Sequence, residues 1–373
     1  MPASPLKIAG WRTLTSGYHD RPAIEAILRI CQFGALIGHE GQRHSSRIFQ
    51  KLTSALECPE IVTTGIKAEL EKGRLVCYQN DSVLPDNFTT SPLGLIDKSD
   101  RSKRRIHHLS YLQDETTSIN NGIPGDYGTI SYSTIREATA AIQTFGSSCL
   151  LVKRDFENAF CHILISLIDV PLLGFEWKRK YYAEQFLPFG LRTVPYLCNL
   201  FAEVYYWILA DVLRQNAIPA EIIHYLDDFL IILPCQGNYD SYSRIFSELS
   251  TRVGLSIKES KSEQGTVASF GGVEFDTAQM VVHLPIAKLN KAWNLVATAI
   301  SQNSFSLLEL QTLTGYLNFV SIVALLGRTF LRRLYNMQLY FLVGKSRHRR
   351  LISGQGMLDL RCWLDALERK PER

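Results

Sequence analysis

The sequence predicts an α+β protein whose mixed body gives way to a helical module. Three observations predict it. Short apolar runs at 146–152 and 222–233 have strand length. Amphipathic helical stripes at 195–216 and 240–253 follow them. From Pro285 onward only helical periodicity remains.

The elements follow in order. The first 50 residues read as helical: Asp20 can cap a helix with Pro22 in its first turn, and Ile24, Ile27, Leu28 and Cys31 recur at helical spacing. Residues 80–93 form a polar, Pro-containing loop. Gly146 to Val152 reads as a buried strand ending at Lys153-Arg154-Asp155. Pro195 to Asn216 reads as a helix with Leu197, Phe201, Val204, Ile208 and Val212 inward. Ile222 to Leu233 is apolar on both sides of Asp227-Asp228, which suits a strand, a tight turn and a strand. Asp240 to Val253 is a helix with Tyr242, Ile245, Phe246 and Leu249 inward, ended by Gly254. Residues 268–284 read as a second hairpin. Pro285 opens a helix with Ile286, Leu289, Trp293, Val296 and Ile300 on one face. Ser306 to Glu309 is a capping box for the next, with Leu310, Leu313, Leu317 and Val320 inward.

Composition narrows the class. Of 373 residues 46% are hydrophobic and 20% charged, and 24 Gly with 14 Pro exclude low-complexity disorder. The eight cysteines form no CxxC pair, so neither a zinc knuckle nor a redox dithiol is expected, and an intracellular, cytoplasmic or nuclear setting fits. No membrane association is expected: Tyr316 to Leu326, taken as the most apolar stretch, is far below the roughly 20 residues of a spanning helix. The net charge of +4 matters less than its distribution. Leu310 to Leu358 has no acid and seven Lys/Arg, and Lys98 to Arg105 holds five Lys/Arg and one Asp. Such zones suit either a polyanion track or a solvated face.

Paired carboxylates inside an apolar run are costly if buried unpaired. A tight turn can present Asp227 and Asp228 at a sheet edge, where Mg²⁺ is a natural partner; a plain polar turn is the other reading. Asp155 also ends an apolar strand. If the two strands are neighbours, three carboxylates converge, which is the donor set of two-metal phosphoryl transfer.

The motifs resemble those of reverse transcriptases. Tyr225-Leu226-Asp227-Asp228 is similar to the YxDD signature. Asp155-Phe-Glu-Asn-Ala-Phe160 is similar to the first catalytic motif, and Leu187-Pro-Phe-Gly-Leu-Arg-Thr-Val-Pro195 to the LPFGLxxxP segment. Val253-Gly254-Leu255 through Lys261 resembles the fourth motif, and Phe270-Gly-Gly-Val-Glu274 the primer-grip hairpin. Trp11 to Gly41, Arg105 to Ser110, Asn120 to Ile123 and Arg328 to Arg333 resemble the retrotransposon branch, DIRS-like elements and their long-terminal-repeat relatives.

This resemblance implies a right-hand polymerase with fingers, an antiparallel-sheet palm, a helical thumb and an N-terminal helical extension. The expected boundaries are 1–50 extension, 51–130 fingers, 131–163 palm, 164–193 fingers, 194–284 palm, 285–344 thumb and 345–373 a basic tail starting a truncated connection. It implies an RNA-directed DNA polymerase that extends a primer 3′-hydroxyl with dNTPs on an RNA or DNA template. Two Mg²⁺ ions, or Mn²⁺, would be held by Asp155, Asp227 and Asp228. Phe160 would sit under the nucleotide sugar and reject a 2′-hydroxyl. Phe189, Gly190 and Tyr225 would pack on the nucleotide and template base, and Lys98 with Arg104 or Arg105 would bind the triphosphate. Lys261, with Lys258 as the alternative, would protonate pyrophosphate. Phe270, Gly271, Gly272, Arg328, Arg332 and Arg333 would contact nucleic acid, Arg328 and Arg332 from one helical face. No stable protein partner is evident. Gly271 and Cys161 depart from the usual residues, and 165–169 is unusually apolar. A non-catalytic nucleic-acid-binding relic is therefore the alternative. An aspartic-protease reading rests only on Asp276-Thr277-Ala278.

Overall fold

The computed structural model describes residues 3–43, 45, 50–80, 83–98, 102–111, 118–324, 327–341, 348–369 and 371–372. The chain runs through α1 (Ile8–Leu14), α2 (Arg21–Phe33), α3 (Thr53–Glu57), α4 (Pro59–Glu71), β1 (Leu75–Tyr78), β2 (Leu93–Asp97), β3 (Lys103–His107) and α5 (Ile135–Phe145). Next come β4 (Leu150–Asp155), β5 (Gly174–Trp177), β6 (Lys180–Glu184), α6 (Val194–Gln215), β7 (Glu221–Tyr225), β8 (Asp228–Leu233) and α7 (Tyr239–Val253). β9 (Glu263–Gly265), β10 (Val267–Phe270), β11 (Val273–Asp276), β12 (Val281–His283), α8 (Ile286–Gln302), β13 (Ser304–Phe305), α9 (Leu307–Val320), α10 (Arg332–Gln338), β14 (Arg350–Leu351) and α11 (Gly354–Glu368) complete it. One four-stranded sheet has the order β7-β8-β4-β9.

The chain divides into two compact units. The first comprises Met1–Ser133, Arg154–Ile231 and Gly237–Ser262. The Asp20 carboxylate caps α2 by accepting the Ala23 N–H at 3.0 Å, and Ile24, Ile27 and Ile30 are the buried face. The helical expectation for the first 50 residues stops there: among the described residues from Gly34 to Gln50 there is no helix, and Ala35 pairs with Ile165. β1, β6 and β5 make an antiparallel sheet, and β2 pairs with β3. Val62, Ile66, Leu75, Leu93, Phe175 and Trp177 form their common core.

α6 is long and apolar enough, by length and composition, to cross a membrane, and the expectation drawn from Tyr316 to Leu326 overlooked it. Here it is a core helix, with Leu197, Phe201, Val204, Ile208 and Leu213 buried. Leu213 takes the inward place expected of Val212, which is only half-buried. Tyr205 of α6 joins Phe156, Phe229 and Phe246 in an aromatic cluster with ring centres 5.2–6.4 Å apart. Its hydroxyl donates to the Phe246 carbonyl at 3.1 Å.

The second unit comprises Thr134–Lys153, Ile232–Gln236 and Glu263–Arg373. A Thr134–Glu137 capping box opens α5 and a Ser306–Glu309 capping box opens α9. The expected hairpin at 268–284 is a three-stranded antiparallel sheet, β10-β11-β12. α8 buries Leu289, Ala292, Val296 and Ala299, whereas Ile286 and Trp293 are 63% and 40% exposed. The expected stripe followed the bulkiest residues. The real one uses two alanines, which let α8 lie close to α11.

The aromatic cluster follows directly after Asp155. Phe156→Ala should cost about 3–5 kcal/mol of unfolding free energy, measured in urea, and Phe156→Leu clearly less. Equal losses from both would show that ring packing does not hold this strand end.

Candidate active site

β4 carries Leu151 and Val152 into the interior and ends on Asp155, only 3% exposed. β7 and β8 bring Ile222, Ile223 and Phe229 to Leu233 inward, so the intervening turn is forced to the edge. The turn residue Leu226 has φ +55°, a left-handed conformation costing a side-chain-bearing residue about 1–2 kcal/mol. The Phe156 N–H donates to the Asp227 carbonyl at 3.3 Å, which sets the end of β4 beside this turn.

A third segment closes the group. The Lys258 N–H donates to the Asp155 carbonyl at 2.8 Å, and the Lys261 N–H to the Lys258 carbonyl at 3.0 Å. Lys261 Nζ then donates to Asp155 Oδ2 at 2.5 Å. That bond holds the Lys261 ammonium above its ordinary range, and Asp228 and Asp227 push the same way. Burial pushes Asp227 up to about 6, with the charges of Asp155 and Asp228 adding to it. The structure thus brings together Asp155, Asp227, Asp228 and Lys261, and it favours Lys261 over Lys258 as the ammonium on the acids.

Among the described residues no group of three or more His, Cys, Asp or Glu is gathered tightly enough to hold a metal ion. The donor chemistry nonetheless fits a hard divalent cation. The three acids offer oxygen ligands; burial and then the neighbouring carboxylates raise Asp227, and the bond to Asp155 raises Lys261.

A cavity of about 280 Å³ gathers the expected triphosphate residues Lys98, Arg104 and Arg105, with Arg74 and Lys258. The arginines differ in commitment. Arg105 pairs with buried Glu184 at 2.8 Å and lies over Phe175, so its charge is spent within the fold. Burial pushes Glu184 up while Arg105 draws it down. Arg104 lies 4.3 Å from the centre of the Phe189 ring, and that ring is 4.9 Å from Phe160. Gly190, with φ +110°, was expected to admit a ligand's close approach. A Cβ there would instead lie 2.1 Å from the His107 carbonyl oxygen, so the glycine admits the protein's own β3. Asn120 fixes this corner, donating to the Gly190 carbonyl at 2.8 Å and accepting the Arg192 N–H at 2.9 Å. Tyr225 is 43% exposed and stacks on Tyr132 at 4.5 Å, a partner that no sequence pattern pointed to. His224 is a packed neighbour, stacked on Phe229.

In the second unit, Phe270 is 3% exposed, so its ring belongs to the core rather than to a nucleic-acid surface. Gly271 and Gly272 form the β10–β11 turn. Arg328 lies in a 3₁₀ turn (Gly327–Leu331) while Arg332 begins α10. The expected common α-helical face is therefore absent, because a 3₁₀ turn has three residues rather than 3.6. Arg328 Nε donates to Ser321 at 3.2 Å and Arg333 pairs with Asp359 at 2.8 Å. Lys345 and Arg347 lie outside the described residues. Asp276 Oδ1 accepts the Ala278 and Gln279 N–H groups, so the Asp-Thr-Ala segment is a turn.

Residues 96–305 match the model of the reverse transcriptase (RNA-dependent DNA polymerase) family. No curated protein matches the sequence. The foamy viral protease-reverse transcriptase solved with double-stranded DNA is similar at TM-score 0.60 and 16% identity, over 97% of this chain and 60% of that one. The same viral protein with an RNA/DNA hybrid gives 0.59 and 16%, over 97% and 46%. A further double-stranded DNA complex gives 0.58 and 17%, over 98% and 72%. This chain spans 60% of the length of the first of these. The likeness shows the fold, the α+β right-hand polymerase.

Asp227 makes a pH-dependent stability test. A carboxyl whose folded pKa of about 6 exceeds its ordinary 3.8 binds its proton more tightly when folded. Folding is therefore disfavoured as pH rises through that window, and the penalty is complete above it. Asp227→Asn removes the charge. Without added divalent ions it should resist urea better than the parent at about pH 7.5, with the advantage gone near pH 4. A variant no more stable than the parent at the higher pH would contradict this origin of the shift.

Proposed function

The chain belongs to the reverse transcriptase (RNA-dependent DNA polymerase) family, nucleotidyltransferases by class, and from that premise we propose that it extends a primer 3′-hydroxyl with deoxynucleotides on an RNA or DNA template. The observation that carries this is the meeting of Asp155, Asp227 and Lys261 at one sheet edge. Polymerases of this family generally use divalent metal ions. Held by Asp155, Asp227 and Asp228, such ions would supply Lewis-acid stabilisation of the attacking and leaving oxygens. The remaining work falls to the chain's own side chains. Lys261 keeps its proton at Nζ, where it can neutralise the departing pyrophosphate. Arg104 and Lys98 set positive charge in the cavity beside Phe189 to receive the triphosphate. Phe160, supported by Phe189, presents a ring where a 2′-hydroxyl would need room.

The retroelement origin, an intracellular setting, and the assignment of 194–284 to palm and 285–344 to thumb are part of this reading. The rival reading is a non-catalytic nucleic-acid-binding relic. It draws support from the Lys261–Asp155 pair, which ties up one of the acids.

Primer extension on poly(rA)/oligo(dT) separates the two. The parent should extend only with Mg²⁺ or Mn²⁺, and Asp227→Asn should lose on the order of a thousandfold or more in rate while binding duplex within a few-fold of the parent. No extension by the parent with either ion would leave the relic. Phe160→Ala should raise the rNTP/dNTP ratio of kcat/KM by at least about tenfold, roughly 1.4 kcal/mol of lost discrimination. An unchanged ratio would return Phe160 to packing.

A further inference from the structure

His162 is a buried imidazole that the chemistry above leaves unused. It stands in the first unit, at the last position of the 3₁₀ turn (Ala159–His162) that carries Phe160.

Both ring nitrogens are engaged, and their partners decide which one carries hydrogen. Nδ1 lies 3.3 Å from the Ala159 carbonyl, which can only accept, so Nδ1 carries the proton. The Ser256 N–H donates to Nε2 at 3.2 Å, so Nε2 is bare. Burial holds the ring below its ordinary range and keeps it neutral. One tautomer satisfies both partners, since a proton at Nε2 would face the Ser256 N–H.

The Ser256 bond replaces a main-chain one. Phe156 and Ile257 form an isolated antiparallel bridge. The Glu157 N–H donates to the Ser256 carbonyl and the Lys258 N–H to the Asp155 carbonyl, both at 2.8 Å. In a continuing ladder the Ser256 N–H would return to the Glu157 carbonyl. Here Asn158 takes a left-handed backbone, φ +50°, and the chain leaves the ladder for the 3₁₀ turn. The imidazole of His162 then takes the place of the lost carbonyl.

The segment held in this way carries the ammonium of the site. Two residues beyond Ser256, the Lys258 carbonyl accepts the Lys261 N–H, and Lys261 Nζ reaches Asp155. Residues 4–7 back the same corner. The Ser4 hydroxyl donates to the His162 carbonyl at 3.0 Å, and the Lys7 N–H to the Val253 carbonyl at 2.9 Å. Gly254, with φ +82°, passes so close that a Cβ would lie 1.9 Å from the Pro5 carbonyl oxygen.

We propose that His162 is a positioning residue: as the Nδ1–H tautomer it pegs the 255–261 segment through Nε2, and so sets the Lys261 ammonium on Asp155 for the departure of pyrophosphate. This rests on the polymerase reading. His162 touches no substrate in this role and acts through Ser256 and Lys261.

The full chain, His162→Leu, His162→Asn and His162→Gln are compared in primer extension on poly(rA)/oligo(dT) with Mg²⁺. The carboxamide of Gln reaches the place of Nε2 and can accept the Ser256 N–H. That of Asn reaches only the place of Nδ1, and Leu fills the space with no acceptor. Leu and Asn should each lower kcat by about ten- to hundredfold, the cost of a small misplacement at the chemistry, with dNTP KM within a few-fold of the parent. Gln should recover most of that loss. On a Lys261→Ala background His162→Leu should cost no more than about twofold further, because the group it misplaces is already gone. Nitrogen NMR of the parent, with the His162 ring assigned by its loss in His162→Gln, should show a protonated Nδ1 and a bare Nε2 near neutral pH. A parent that extends primer, with every variant at its own rate, overturns the peg and leaves the polymerase reading standing. So does a Gln variant as slow as Leu, or a full further loss on the Lys261→Ala background. If His162→Leu proves unfolded by circular dichroism, the ring and the contrast of Gln with Asn decide: the opposite tautomer, an imidazolium, or equal rates of the two overturns the proposal. A parent that extends no primer overturns the polymerase reading and this role together.

Discussion

Everything at the candidate active site answers one constraint: carboxylates must be held together at the end of strands that are otherwise apolar. Like charges repel more strongly as water is removed, so the arrangement costs free energy that the surroundings have to offset. The protein meets this in several ways. An aromatic cluster of Phe156, Tyr205, Phe229 and Phe246 fixes the strand ends from below. Leu226 accepts a left-handed backbone in the turn just before Asp227. Lys261 lays an ammonium on Asp155, and Asp227 keeps a pKa raised by its burial first and by the neighbouring carboxylates second. A stretch of the second unit has the opposite imbalance, with lysines on aromatic rings and Glu309 the one acid between Asp276 and Asp359. Local charge excess of either sign is what a protein keeps when a ligand of the other sign supplies the balance.

The carboxylate site was legible because its signals are local. Asp155 and Asp227-Asp228 interrupt apolar runs, and a polar residue inside a strand-length apolar run has few places to go. Capping boxes and helix stops are equally local, hence the agreement at Ser306–Glu309, Asp20 and Gly254. What could not be read depends on partners far along the chain. β3 is the charged sequence KRRIH, and Arg105 is settled only by Glu184 of β6. β1 is four residues long and mostly half-buried, too weak a pattern to announce a strand. Helix faces were misread where small residues do the packing: Ala292 and Ala299 decide how α8 turns, and alanines carry little weight in a search for bulky stripes. Gly190 and Phe270 face partners that their motifs do not announce, because a close approach or a ring can serve the protein's own interior.

Sequence identity of 16–17% with the foamy viral structures coexists with TM-scores near 0.6. That is expected when a fold rests on periodicity and a few special backbone positions, since many side-chain sets satisfy the same pattern.

If the carboxylate repulsion is the governing cost, a divalent cation should relieve it before any substrate is present. Thermal unfolding of the parent and of Asp155→Asn with increasing Mg²⁺ tests this most directly. The account predicts that Mg²⁺ raises the parent's melting temperature in a saturable way, as expected for a ligand bound only by the folded state, and raises that of Asp155→Asn markedly less. Equal shifts in the two proteins, or none in the parent, would contradict it.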